Sequence, residues 1–162
     1  MSTITKATAA QAQIIHELVH QIYKPTYQAI LSDEQIQFML DRSYTVTALQ
    51  EAMEAEQDFY LIWDDTECAV GFMALKNSTE DILRIEKLYL LPETQGKGYG
   101  SDFIAYAKQE AMQRNKSILE LNVNRGNSAY FFYLKKGFKV TQEIDIPYFG
   151  YVLDDYIMQA TV

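Results

Sequence analysis

The stretch Leu88-Tyr-Leu-Leu-Pro-Glu-Thr-Gln-Gly-Lys-Gly-Tyr-Gly100 decides how this chain is read. An apolar run ending at Pro92 delivers the backbone into a turn with glycines at 96, 98 and 100. Phe103, Ile104, Ala107 and Ala111 then recur at helical spacing. Glycine reaches positive φ without steric cost and lets other atoms approach the backbone, so several N–H groups of such a turn can converge on one concavity. The positive end of the following helix reinforces it. Strand, glycine turn and helix N-terminus together predict a pyrophosphate cradle. Two other phosphate loops fit less well. Gly98 follows Lys97 where a P-loop needs Ser or Thr, and Ser101 stands where a dinucleotide fingerprint needs its third glycine. Glu120 lies at a suitable distance for a ribose contact, which leaves the dinucleotide reading as an alternative.

Upstream of this stretch the pattern is first helical. Thr3–Lys6 reads as a short strand, and Thr8 can cap a helix to about Ile22 whose stripe is Gln11, Ile14, Ile15, Leu18, Val19 and Ile22. Ser32 and Gln35 form a capping-box pair ahead of Ile36, Met39 and Leu40. Thr45 or Thr47 opens a third helix through Leu49 and Met53. Near residue 59 the period changes. Phe59–Trp63 and Ala69–Leu75 are apolar runs joined by a polar tract, a hairpin pattern, and Ile82–Leu91 is the strand feeding the glycine turn. After a helix over 101–114 come a strand (118–123), a helix (127–136) closed by Gly137, and two strands over 138–146 and 152–160. The order predicts one α/β (α+β) domain over residues 1–162, built on a mixed sheet.

The 14 Lys and Arg against 22 Asp and Glu give a formal charge of -8. That field disfavours phosphate backbones and anionic lipid, so neither nucleic acid nor membrane is expected as a partner. It attracts cations, and it serves solubility equally well. No apolar run approaches the roughly 20 residues that cross a bilayer. The N-terminal residues lack a signal-peptide core, and lone Cys68, read as the start of a strand, cannot form an internal disulfide. A cytoplasmic location is the expectation.

A second block lies downstream, Asn127-Ser-Ala-Tyr-Phe-Phe-Tyr133-Leu-Lys-Lys-Gly137-Phe138. With Gln95-Gly-Lys-Gly98-Tyr-Gly100 and the strand end before it, this block resembles the GNAT superfamily of acyl-CoA N-acyltransferases. The likeness covers nearly the whole chain. The Tyr-rich first third and the ending Gly150–Met158 look most like bacterial spermidine/spermine acetyltransferases.

The resemblance implies a GNAT-type domain with a mixed, mostly antiparallel sheet of about seven strands flanked by helices. It implies acetyl-CoA as cosubstrate and no metal. Backbone groups of Leu88, Tyr89 and Leu90 would bind the pantetheine arm in strand fashion. Gln95, Gly96, Lys97, Gly98, Tyr99 and Gly100 would hold the pyrophosphate. Asn127 would reach the arm with its amide, or cap a helix, or do both. Acyl transfer needs a neutral amine, a donor for the developing oxyanion and a proton for the departing thiolate. Tyr133 occupies the family's position for that last acid, and a phenol of ordinary pKa near 10 stays protonated at neutral pH. A backbone N–H near Leu90 would be the oxyanion donor.

Other roles stay open at this level. Glu86 shares a face with Leu88 if the strand alternates regularly, where it is either a base for the amine or a structural partner of Arg84 or Lys87. Tyr23, Tyr27 and Tyr148, with Tyr44 and Phe149, would offer aromatic faces to a cationic acceptor, with Asp33, Glu34, Asp154 and Asp155 adding attraction. These rings could equally pack the core. A small-molecule amine such as a polyamine is therefore expected as acceptor. The alternatives are a peptide N-terminus, another metabolite, or a non-catalytic acyl-CoA-binding module. Many family members dimerise, so a homodimer is compatible with the likeness. His16-Glu-Leu-Val-His20 matches a zinc-peptidase pattern, but with no third histidine a further ligand would have to be a carboxylate, and there is little room before this helix for a substrate-binding sheet.

Overall fold

The computed structural model describes residues 2–162. Strand β1 (Thr3–Lys6) leads to Thr8, whose N–H donates to the Gln11 side chain at 3.0 Å, and a short 3₁₀ turn runs on into α1 (Ala12–Tyr27). Ala12, Ile15, Leu18, Val19, Ile22 and Tyr23 form its buried face. The helix continues five residues past its expected end, through Pro25, because Tyr23 and Tyr27 dock against the sheet and carry the last turn with them. In α2 (Asp33–Ser43) the Ser32 hydroxyl accepts the Gln35 N–H at 3.1 Å. The reciprocal bond, from the Ser32 N–H to the Gln35 side-chain oxygen, is absent among the described residues, and the Gln35 side-chain nitrogen is buried without a hydrogen-bond partner there. Thr45 caps α3 (Val46–Glu54).

Strands β2 (Asp58–Trp63) and β3 (Ala69–Asn77) form the expected hairpin, with Cys68 exposed in its turn. They are followed by β4 (Ile82–Leu90), α4 (Tyr99–Gln113), β5 (Ile118–Asn124), α5 (Ala129–Lys135), β6 (Lys139–Tyr148) and β7 (Tyr151–Thr161). The sheet has seven strands in the order β1-β2-β3-β4-β5-β7-β6. Only β4 and β5 pair in parallel, joined through α4 as a parallel pair requires. The mixed, mostly antiparallel sheet of about seven strands flanked by helices is what the sequence predicted. Both faces are covered, which is why the central strands read as continuous apolar runs. Phe59, Leu61, Phe72 and Ala74 pack under α1–α3. Ile62, Met73, Leu75, Leu83, Leu119 and Met158 pack under α4 and α5 with Phe103, Ala107 and Phe138. No described helix is long and apolar enough to cross a membrane.

Two irregularities in β4 build the site. Ala74 and Leu75 of β3 face Lys87 and Ile85, so Glu86 has no cross-strand partner and forms a bulge. The bulge resets the alternation: Leu83 and Ile85, then Leu88 and Leu90, point to the α4 side, while Tyr89 packs under α1. Plain alternation therefore does not run through the strand at Glu86, the residue left unpaired. The second irregularity is a split. Only Ile82–Ile85 pair with Ile118–Leu121, and beyond Ile85 the two strands part.

Candidate active site

A cavity of about 970 Å³ opens where β4 and β5 separate. This is near the upper end of ligand-site volumes. The Leu91 N–H donates to the Val70 carbonyl at 2.9 Å, closing the β3–β4 ladder. Backbone groups in an antiparallel ladder alternate in direction, so Leu90, opposite Gly71, turns its N–H and C=O away from β3 into the gap, and Leu88 does the same. The gap is thus lined by an unpaired strand edge. Gly71 makes this edge possible. A Cβ there would lie 2.5 Å from Leu90 Cδ2 and 2.6 Å from the Tyr89 carbonyl oxygen.

The turn that follows has the geometry its glycines require. Gly96 and Gly98 sit at φ +82° and +89°, the left-handed region, and a Cβ on either would stand in open space. The helix begins at Tyr99, two residues earlier than its apolar spacing suggested, so Gly100 is buried in the first turn of α4 against Phe132. Gln95, Gly96, Gly98, Tyr99 and Gly100 all line the cavity; Lys97 does not. Asn127 lines it and also caps: its Oδ1 accepts the Ala129 N–H at 2.9 Å. An unpaired strand edge running into a glycine turn at a helix N-terminus fits a ligand with an extended amide-bearing arm and a pyrophosphate.

Aromatic groups close the inner end. Tyr23, Tyr27, Tyr44 and Tyr89 pack ring to ring, with centroids 4.9–6.3 Å apart where they touch. The Tyr27 and Tyr89 hydroxyls share a hydrogen bond of 2.8 Å. Burial is the first cause that raises all four phenols well above their ordinary pKa. Tyr23 is 3% exposed and belongs to the core as well as to the cavity wall. Tyr133 stands apart. Its phenol is also raised, by burial alone, yet its hydroxyl donates to no described residue and its ring lies edge-on to Phe132 and Phe138. Its proton is uncommitted. Tyr148 lines the outer part of the cavity and packs on Phe38 and Phe149; Phe149 lies outside, beneath the Arg42 guanidinium.

Charged groups are few. Glu86, Lys87, Asp155, Lys135 and Lys136 line the cavity. Glu86 is exposed and lies 3.6 Å from the Arg84 guanidinium, the structural pairing foreseen for it. Arg84 also pairs with Glu120 and donates to Asn122 Oδ1 at 2.6 Å. Glu120 is thereby occupied, together with Gln159, and is not a free ribose ligand. Asp33 and Glu34 lie outside the cavity, and Asp154 is held by Asn124 at 3.1 Å. Burial raises the Asp155 carboxyl above its usual range. His16 turns Nδ1 to the Tyr44 carbonyl at 2.7 Å, and among the described residues no three His, Cys, Asp or Glu cluster as metal ligands. Sequence reasoning missed Gly71, Asn122 and the reach of Arg84 beyond Glu86. The first carried a signal, a lone glycine inside an apolar strand.

Lys87 allows a direct stability test. Its ammonium donates to Gln57 at 2.8 Å and lies over the Phe59 and Tyr44 rings. Burial lowers its pKa to about 8; Glu86 opposes the shift and Lys76 adds to it. Below pH 8 folded and unfolded chains both carry the proton, so the cost of burying the charge is fully present. From there to its ordinary 10.5 the folded chain sheds it first, and stability rises with pH. Lys87→Met is expected to stabilise the fold at pH 7 by about 1–3 kcal/mol, with the gain fading toward alkaline pH. Urea melts at pH 7 and 10 check this; a destabilised variant, or a gain independent of pH, would refute it.

Comparison with known proteins adds the following. A family model described as Acetyltransferase (GNAT) domain matches residues 27–146. A spermidine N(1)-acetyltransferase from Thermoplasma acidophilum is 32% identical over 148 residues, spanning 85% of this chain and 88% of that one. An aminoalkylphosphonate N-acetyltransferase from Salmonella typhimurium is 38% identical over 56 residues, 34% of this chain and 36% of that one. Among solved structures, a PaiA N-acetyltransferase from Thermoplasma acidophilum in complex with coenzyme A superposes with a TM-score of 0.86 at 26% identity, covering 100% of this chain and 99% of that one.

Proposed function

Since the chain belongs to the GNAT acetyltransferase family, and is therefore an acetyl-CoA-dependent N-acetyltransferase, we propose that its acceptor is a small cationic amine of the polyamine class. The observation that carries this is the cavity wall, where the Tyr27 and Tyr148 rings stand with the carboxylates of Glu86 and Asp155. Aromatic faces and carboxylates together favour ammonium groups. The relative named for spermidine supports the same class.

When bound, acetyl-CoA supplies the activated acetyl thioester. The unpaired edge of Leu88–Leu90 receives the extended arm, with Asn127 beside it, and the N–H groups of Gln95–Gly100 receive the pyrophosphate. The Leu90 N–H donates to the acetyl oxygen as charge develops on it. Glu86 takes the proton from the amine, directly or through water, and Tyr133 returns one to the departing sulfur. Burial suits Tyr133 to the last step, because a phenol with a raised pKa stays protonated throughout the working range.

A thiol-release assay with acetyl-CoA tests the acceptor class against spermidine, spermine, short diamines, aminoalkylphosphonates and N-terminal peptides. Turnover confined to the polyamines and diamines is expected. A higher kcat/KM for the phosphonates or peptides would overturn the acceptor assignment.

A further inference from the structure

We propose that Asp155 anchors the ammonium that is not acetylated, so that this one carboxylate makes the enzyme select linear diamines and polyamines over monoamines. The inference rests on the acceptor class proposed above and assigns its second charge to a residue.

Two carboxylates line the cavity, one on each side of the strand split: Glu86 on β4 and Asp155 on β7. They differ in what already satisfies them. Glu86 is paired with Arg84. Asp155, half-buried opposite Asn124 at the end of β5, forms no ion pair among the described residues. Its side chain has a single neutral donor, the Asn122 amide at 3.3 Å. A carboxylate offers about four acceptor sites, so most of its capacity is free. A half-buried carboxylate without a cation is costly; Glu120 avoids that cost, while Asp154, outside the cavity, has only the Asn124 amide. Asp145 has Arg125 at 2.5 Å, and Glu120 has Arg84 and Gln159. The nearest guanidinium, Arg125, spends its side chain on Asp145 and reaches Asp155 only at the backbone carbonyl.

The amide that meets Asp155 is itself fixed. Arg84 donates to the Asn122 carbonyl oxygen at 2.6 Å, which turns the Asn122 NH₂ toward Asp155. The same guanidinium holds Glu86, so one residue orients both cavity carboxylates. Two of the cavity lysines are committed elsewhere: Lys87 is engaged with Gln57, and Lys136 lies over the Phe132 ring. Tyr148 and Leu153 flank the same wall and suit the methylene chain between two ammonium groups.

The test compares a linear diamine with the monoamine of equal chain length, using wild type, Asp155→Asn, and Glu80→Gln as an exposed neutralisation elsewhere. The near-isosteric Asp155→Asn keeps the Asn122 contact. Its kcat/KM for the diamine is expected to fall roughly 10- to 100-fold, mostly through KM, since a charged hydrogen bond is lost. The monoamine, and KM for acetyl-CoA, should stay within about twofold, and Glu80→Gln should behave as wild type. Equal losses on both amines would overturn the assignment, because they report a structural defect. A wild type preferring the diamine, with Asp155→Asn keeping that preference, would overturn the role of Asp155 alone. A wild type with no preference would overturn the polyamine reading and this inference together.

Discussion

Tyr133→Phe is expected to lower kcat by about 10²- to 10³-fold while leaving KM for acetyl-CoA within about twofold. Phenylalanine keeps the ring between Phe132 and Phe138 and removes only the hydroxyl. Because that hydroxyl donates to no described residue, its loss orphans nothing, and the fold should be unaffected. Among the four neighbouring phenols, Tyr27 and Tyr89 already share a hydrogen bond. The pH profile adds a second criterion. Burial raises the Tyr133 phenol, so wild-type rate should climb as the amine acceptor loses its proton and should not fall again below about pH 10. A loss under tenfold, or a wild-type descending limb near pH 8, would remove Tyr133 from the role of acid.

The other large effect comes from Gly71 on β3, which does not itself line the cavity. Gly71→Ala should destabilise the protein by about 1–3 kcal/mol, because overpacking forces backbone to move. Leu90 Cδ2 could rotate away from the new methyl group, but the Tyr89 carbonyl oxygen at 2.6 Å could not. That carbonyl shares its peptide plane with the Leu90 N–H, the proposed oxyanion donor, so moving it tilts the donor. Activity should therefore fall at least tenfold at temperatures where the variant is fully folded, with kcat affected more than KM for acetyl-CoA. Thermal melts and initial rates on one preparation check both parts. A variant as stable and as active as wild type would show that β3 and β4 do not need this close approach.

Much of the architecture was legible from periodicity. The apolar runs Phe59–Trp63 and Ala69–Leu75, the capping residues Ser32 and Thr45, and the glycines at 96 and 98 are local signals. The elements lie within a residue or two of where those signals placed them. What escaped the sequence is decided at a distance. The extension of α1 through Pro25 depends on Tyr23 and Tyr27 meeting Tyr89, 62 positions beyond Tyr27. The bulge at Glu86 depends on how β3 registers against β4, and no residue near 86 announces it. Arg84 reads as one cation among several; only the parallel pairing of β4 with β5 sets it opposite Glu120 and beside Asn122. The glycine turn has the left-handed backbone its glycines announced, and of Gln95–Gly100 only Lys97 does not line the cavity.

The split between β4 and β5 also has a mechanical consequence. The sheet is in effect two plates, β1–β4 and β5–β7–β6, stitched by four residue pairs at one end and open at the other. The helix α4 lies across the tear like a splint, packing Phe103, Ile104 and Ala107 into a core drawn from both plates. The N-terminus of this splint is the glycine turn. A ligand seated in the tear therefore bridges the plates and grips the end of the splint at once, so its binding free energy doubles as structural cohesion for the whole sheet.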